Sequence, residues 1–344
     1  MALPRSLPAP RTPDPMDAPP LRWGVLGTGW IAERFATALH AGTRQQVYAV
    51  GSRSQAGADR FAPRVGAPAA YGSYEALVAD PAVDVVYVAT PHNRHHPHAR
   101  LALEAGKGVV VEKPMGLSAA QCRDLQALAR ARGLFLMEAM WTLFLPKFDV
   151  VRQLLADGAL GDVHAVLADM GEHFEPGHRI WRADLAGGPL LDLGTYPVML
   201  ATWALGAASQ VSAVGTFAPD GLNVQAGITL RTARDQLAVL HTTQLGNTPT
   251  TATIQGSTAT LQLGGPFYQP GGLTLRGTDG TVLCWEEDAV SHAALHFQAA
   301  EVARRIAGGE TGSPLRPLDD TVTTMTAMDE VRRQLGIVYA ETPG

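Results

Sequence analysis

From Leu21 to about Met140, short apolar runs alternate with stretches whose apolar positions recur at helical spacing. That is the rhythm of strand–helix–strand units and of a parallel sheet. Residues 22–26, 46–51, 83–89, 108–112 and 134–137 are the expected strands. Val83-Asp84-Val85-Val86-Tyr87-Val88-Ala89 is almost continuously apolar, as a strand covered on both faces should be. One helix is bracketed by its own punctuation: the Ser118 hydroxyl suits the N-cap, Leu125 and Leu128 follow, and Gly133 stops the helix after Arg132.

After Trp141 the pattern changes. A helix through Phe148 to Leu155 is ended by Gly158, and β-like runs follow at 163–170, 210–217, 226–230, 236–245, 251–255, 258–263, 273–276 and 281–285, with turn residues between them. They predict a large, mostly antiparallel sheet. Helical patterns at 293–307 and 319–335 close the chain. The expected class is α/β followed by α+β: a Rossmann-like parallel sheet, then a domain with an open antiparallel sheet and helices.

Composition agrees with two globular domains, since 344 residues exceed one ordinary core and the chain is 46% hydrophobic and 17% charged. A net charge of −5 without clustered Lys and Arg argues against nucleic acid and against an anionic membrane as partners. Cys122 and Cys284 make no metal-binding spacing, and the expected location is cytoplasmic. Seven prolines but no apolar run lie within residues 1–20, so a flexible, partly polyproline arm is expected there rather than a signal peptide or anchor.

Gly27-Thr28-Gly29-Trp30-Ile31-Ala32 directly follows the first strand and opens a helix, the context in which Gly-x-Gly-x-x-Ala marks a dinucleotide site. Gly27 permits the turn, Gly29 lets a diphosphate approach the backbone, and Ala32 allows close helix packing. The second strand ends in Gly51-Ser52-Arg53 with no acidic ligand for a ribose hydroxyl. A hydroxyl beside a guanidinium suits a 2′-phosphate, which favours NADP while leaving NAD possible. Glu112-Lys113-Pro114 closes another strand at its carboxyl edge, where ligands of open α/β sheets bind.

On these motifs the sequence resembles the glucose-fructose oxidoreductase and inositol dehydrogenase (Gfo/Idh/MocA) family. Thr90-Pro91-His92-Asn93-Arg94-His95 is similar to that family's loop along the cofactor, with His92 in place of the usual Asn. Gly187-Gly188-Pro189-Leu190-Leu191-Asp192-Leu193-Gly194-Thr195-Tyr196 resembles its second-domain motif, with Tyr196 in place of His. That form is similar to the branch containing dimeric dihydrodiol dehydrogenase and NADP-dependent D-xylose dehydrogenase. The resemblance covers nearly all of residues 21–339. It departs at Phe297-Gln298, where the branch usually has Tyr-Glu, and it has no counterpart for the arm.

The implied domains are the arm at 1–20, a dinucleotide-binding domain at 21–141, and a substrate-binding and dimerisation domain at 142–344. Implied cofactor ligands are Gly27, Thr28, Gly29, Trp30, Ile31, Ser52, Arg53, Thr90, Pro91, His92, His95, Glu112, Lys113 and Trp141. The implied catalytic group is Lys113 and Tyr196 with Asp192, and the substrate would meet these together with Trp141, Arg179, Phe174 and Phe267. No metal is expected, because His92, His95, His96 and His98 lack acidic partners at a metal-binding spacing. The expected activity is NADP-dependent hydride transfer to or from a sugar or vicinal diol, in a homodimer. Alternatives are a keto-sugar reductase of the 1,5-anhydrofructose type, a catalytically silent NADP-binding regulator and an NAD-assisted glycosidase, the last unsupported by the tyrosine form of the motif.

Overall fold

A computed structural model describes residues 3–340. Neither of its two compact units is continuous in sequence. One comprises residues 13–144 and 290–321, and the other residues 3–12, 145–289 and 322–340.

In the first unit β1 (Arg22–Leu26), β2 (Gln46–Gly51), β3 (Ala69–Tyr71), β4 (Val85–Val88), β5 (Gly108–Glu112) and β6 (Leu136–Ala139) form one sheet. Its order is β3-β2-β1-β4-β5-β6, and every pairing is parallel. This is the doubly wound order whose reversal between the strands at its centre leaves a crevice at their carboxyl ends. All four residues of β4 are buried, which explains its unbroken apolar run. The helices are α1 (Trp30–Gly42), α2 (Gln55–Phe61), α3 (Tyr74–Val78), α4 (His92–Glu104) and α5 (Ala119–Arg132). Ser54, Ser73 and Ser118 cap α2, α3 and α5, each accepting a backbone N–H through its side chain.

The other unit contains α6 (Pro146–Ala156), α7 (Pro189–Asp192) and α8 (Thr195–Leu205). Its strands are β7 (Val163–Gly171), β8 (Ala208–Phe217), β9 (Asn223–Thr232), β10 (Leu237–Thr243), β11 (Ala252–Gly256), β12 (Ala259–Leu263), β13 (Leu273–Gly277) and β14 (Val282–Trp285). They order as β14-β13-β12-β11-β7-β10-β9-β8, antiparallel except for the parallel pair β7–β10. Alternation along the strands buries Val166, Ala168, Ile228, Leu230, Leu240 and Ile254 on one face. The opposite face keeps apolar side chains in the open, with Leu167 opposite Val239 in register and Val214 74% exposed.

The segment 290–321 brings α9 (His296–Ala307) and the start of α10 (Leu318–Leu335) back to the first unit. Ala18 is buried against Ala300 and Ala303 of α9, with Leu21 packed beside them. The residues expected to form a flexible arm make specific contacts. Arg11 grips Asp149 through its backbone N at 2.7 Å and its Nη2 at 3.0 Å, and Gln45 Nε2 donates to the Pro19 carbonyl at 2.7 Å. Among the described residues no helix is long and apolar enough to cross a membrane.

Candidate functional site

In the first unit the fingerprint loop joins β1 to α1. Gly27 has φ +111°, and a Cβ there would lie 2.5 Å from the Ala89 carbonyl oxygen, so the chain passes too close to β4 for any side chain. Gly29 faces the other way, with no heavy atom within 4 Å of where its Cβ would stand. It is the N-cap of α1 and gives no side-chain hydrogen bond, and Pro91 likewise leaves α4 without a side-chain cap. These two uncapped helices follow β1 and β4, the strands on either side of the reversal. First-turn N–H groups beside an open glycine are the donor set a diphosphate needs, so this cradle fits a dinucleotide.

Around that cradle stand Ser52 and Arg53 after β2, Thr90, Pro91 and His92 after β4, Lys113 after β5 and Trp141 after β6. His95 is fully buried, and its ring nitrogens meet two carbonyls, Thr90 O at 2.8 Å and Pro114 O at 2.7 Å. It thereby ties the loop after β4 to the loop that carries Lys113. The carboxylate of Glu112 turns into the protein, where it accepts from the Tyr87 hydroxyl and, at 3.1 Å, from the Lys113 backbone N–H. Burial raises its pKa to about 7, against the opposing pull of Tyr87 and Lys113. Its distance from solvent makes it a support for the lysine loop more than a cofactor ligand.

A second support lies beyond Pro114. Glu138 accepts the Met115 N–H at 3.0 Å on one oxygen, and its other oxygen takes Arg316 Nη2 at 2.6 Å and Thr321 Oγ1 at 3.1 Å. Glu138 and Arg316 are at most 1% exposed. The Lys113–Pro114 peptide, held between these groups, is cis.

The first unit also holds a side chain that no motif marked. His292 lies in a 3-10 turn, Ser291–Leu295, with its ring stacked on Trp141 at 5.3 Å and edge-on to Trp30 at 4.8 Å. Trp30 is 56% exposed although it opens α1.

In the other unit the Gly-Gly motif runs into α7 and α8. Arg179 Nη2 lies 3.0 Å from both oxygens of the buried Asp192, while nearly half of the arginine side chain stays exposed. Tyr196 is the second residue of the buried helix α8 and packs its ring on Tyr268 at 4.4 Å. Phe174 stacks on His178 at 4.5 Å, and its carbonyl accepts from Trp181 Nε1 at 2.9 Å. Phe267 is fully buried, so the aromatic ring presented to Tyr196 from this turn is its neighbour Tyr268. Among the described residues no group of three or more His, Cys, Asp or Glu side chains is arranged to hold a metal ion. In the histidine-rich helix α4, His96 pairs with Asp124 and His98 with the Thr90 hydroxyl.

Two family models match the chain, an oxidoreductase family with an NAD-binding Rossmann fold over residues 21–140 and the GFO/IDH/MocA C-terminal domain over residues 148–262. The chain is 33% identical over 329 residues to the trans-1,2-dihydrobenzene-1,2-diol dehydrogenase of Mus musculus, covering 93% of this chain and 98% of that one. A 3-ketoreductase of Actinomadura kijaniata, solved with NADP and TDP-benzene, superposes with a TM-score of 0.81 at 31% identity, covering 92% of this chain and 98% of that one. A levoglucosan dehydrogenase superposes with a TM-score of 0.83 at 17% identity over 92% of this chain and 98% of that one, a likeness of fold.

Proposed function

The chain belongs to the Gfo/Idh/MocA oxidoreductase family, and from that premise we propose that it is an NADP-dependent enzyme moving a hydride between the nicotinamide and a sugar or vicinal diol. The observation that carries the reading is Lys113, presented at the carboxyl end of β5 in the unit whose β1 and β4 feed two uncapped helices. Relatives supply the substrate class: one is named for a dihydrodiol, and the Actinomadura kijaniata enzyme for ketone reduction. Structures of the latter include variants at a lysine and at a tyrosine, which supports a Lys and a Tyr as the chemically important pair.

The bound nicotinamide would accept or give the hydride, and the protein must move the matching proton. A phenol near its free pKa of about 10 is a poor base at neutral pH unless a cation favours the phenolate. In this proposal Lys113 is the cation and Tyr196 the phenol, which donates in the reducing direction. Asp192, held by the two contacts from Arg179, is placed to accept a hydrogen bond from a substrate hydroxyl. Keto-sugar reduction is the same chemistry in reverse and remains the second reading, favoured by the ketoreductase relative. Retention of Lys113, Asp192 and Tyr196 speaks against a silent regulator. We place the enzyme in the cytoplasm, in keeping with its two free cysteines.

The decisive assay is a panel of aldoses, ketoses and diols with NADP(H) and NAD(H), followed at the nicotinamide absorbance. Turnover of at least one polyol or its ketone is expected, and a panel without turnover in either direction would overturn the reading. Cofactor choice has its own test. Arg53→Ala should weaken NADP(H) selectively, because the guanidinium fork is the donor set for the 2′-phosphate. Equal wild-type affinities for NADP(H) and NAD(H) would remove the basis for that preference.

The exposed apolar face of the eight-stranded sheet supports a homodimer in which Leu167 and Val239 are covered by a second copy. Sedimentation should give a dimer for the wild type, and Val239→Arg should shift it to monomer by placing an unpaired charge at the centre of the contact. A monomeric wild type would mean that this face is solvated.

A further inference from the structure

We propose that His292 belongs to the dinucleotide site, where its Nε2 binds an oxygen of the diphosphate or of the nicotinamide ribose. The inference rests on the cofactor reading given above and adds a ligand that no fingerprint supplies.

Four observations converge on this histidine. The imidazole is clamped between two indoles that flank the candidate cradle: Trp30, the residue after Gly29, and Trp141, the first residue after the β6 strand and Met140. Its Nδ1 pairs with the Ser291 hydroxyl at 3.1 Å, and among the described residues Nε2 has no protein partner. Burial, together with the positive charges of Arg34 and Lys113, lowers its pKa to about 4, so the free protein presents a neutral ring close to two cations. Such a group gains from an anionic or hydroxylic ligand and has little to gain from the protein around it.

The backbone is built to deliver it. Ser291 has φ +48°, a left-handed conformation that a residue with a side chain adopts only against strain. The turn then seats His296 on the last residue of α1, where a Cβ on Gly42 would lie 2.4 Å from the imidazole. The turn therefore packs along the helix whose N-terminus carries the glycine cradle. Trp30 would otherwise be an unexplained exposure of a large apolar ring, and the guanidinium of Arg34 stands 5.5 Å from its centre. The resulting aromatic wall has one open polar atom, which is the pattern of a small-molecule site.

The test is a titration of NADPH and NADH into wild-type protein and into His292→Phe and His292→Ala, read by quenching of tryptophan fluorescence without substrate. Phe retains the stack on Trp141 and removes both ring nitrogens, Nε2 and the Nδ1 that pairs with Ser291, so its dissociation constant should rise roughly 3- to 10-fold, the worth of one net hydrogen bond to the ligand. Ala also removes the wall and should weaken binding further. Thermal unfolding of the cofactor-free variants checks that the fold persists. A His292→Phe protein that is folded and binds as tightly as the wild type overturns the inference alone. A wild type that binds neither dinucleotide overturns both the inference and the cofactor reading beneath it.

Discussion

Replacing Lys113 by Met or Tyr196 by Phe is expected to lower turnover by roughly 10²- to 10⁴-fold, the usual loss when positioned proton transfer is removed. The double variant should fall little further. The reason is functional interdependence: a phenol without a nearby cation is too weak a base, and a cation without the phenol has no proton to move. Dinucleotide affinity should change far less than turnover, because in the proposed site Gly27, Gly29 and Arg53 would hold the cofactor through other atoms. Steady-state kinetics on an accepted substrate, with a separate cofactor titration, checks both halves. A Tyr196→Phe enzyme with near wild-type turnover would hand the proton to Asp192 or to Lys113 itself.

The second large effect concerns stability. Glu138→Ala would take from Arg316, at 1% exposure, the carboxylate it pairs with and would strip the Met115 N–H of its acceptor. Breaking one side of a buried pair costs about 3–5 kcal/mol, whereas replacing both partners by apolar groups is often close to neutral. Urea unfolding should therefore show a marked loss of midpoint for Glu138→Ala and a smaller loss for the double change Glu138→Leu with Arg316→Leu. Equal losses would show that the fold needs the hydrogen bonds of this network more than its charge balance.

Much of the architecture is legible from the chain because burial and period coincide. Val83 to Ala89 is apolar throughout, since β4 is covered on both sides, and the cap signal at Ser118 and stop at Gly133 mark α5 correctly. The strand β3 escapes notice because Ala69, Ala70 and Tyr71 are short, half-buried and without alternation. The helices α7 and α8 are equally hidden, because a helix buried on nearly every side has no polar face to set its period. In the site, motifs mark residues adjacent in sequence and fail where contacts are distant. Trp30 and His292 meet from opposite ends of the chain, and neither the fingerprint nor Glu112-Lys113-Pro114 gives a reason to look near Ser291. The choice between Phe267 and Tyr268 turns on which way each ring of a turn points, and hydrophobicity alone cannot decide it.

The return of residues 290–321 to the first unit also bears on how this protein is made. Ribosomes add roughly 5–20 residues per second, and domains of most multidomain chains fold in order from the N-terminus. Here the parallel sheet emerges first, yet Arg316, which neutralises Glu138, is synthesised only after β14, the last strand of the other unit's sheet. Until it arrives, Glu138 has no counter-charge and the lysine loop lacks its brace. The first unit therefore waits, unfinished, while the whole of the eight-stranded sheet is translated, so that its completion follows the synthesis of its neighbour instead of preceding it.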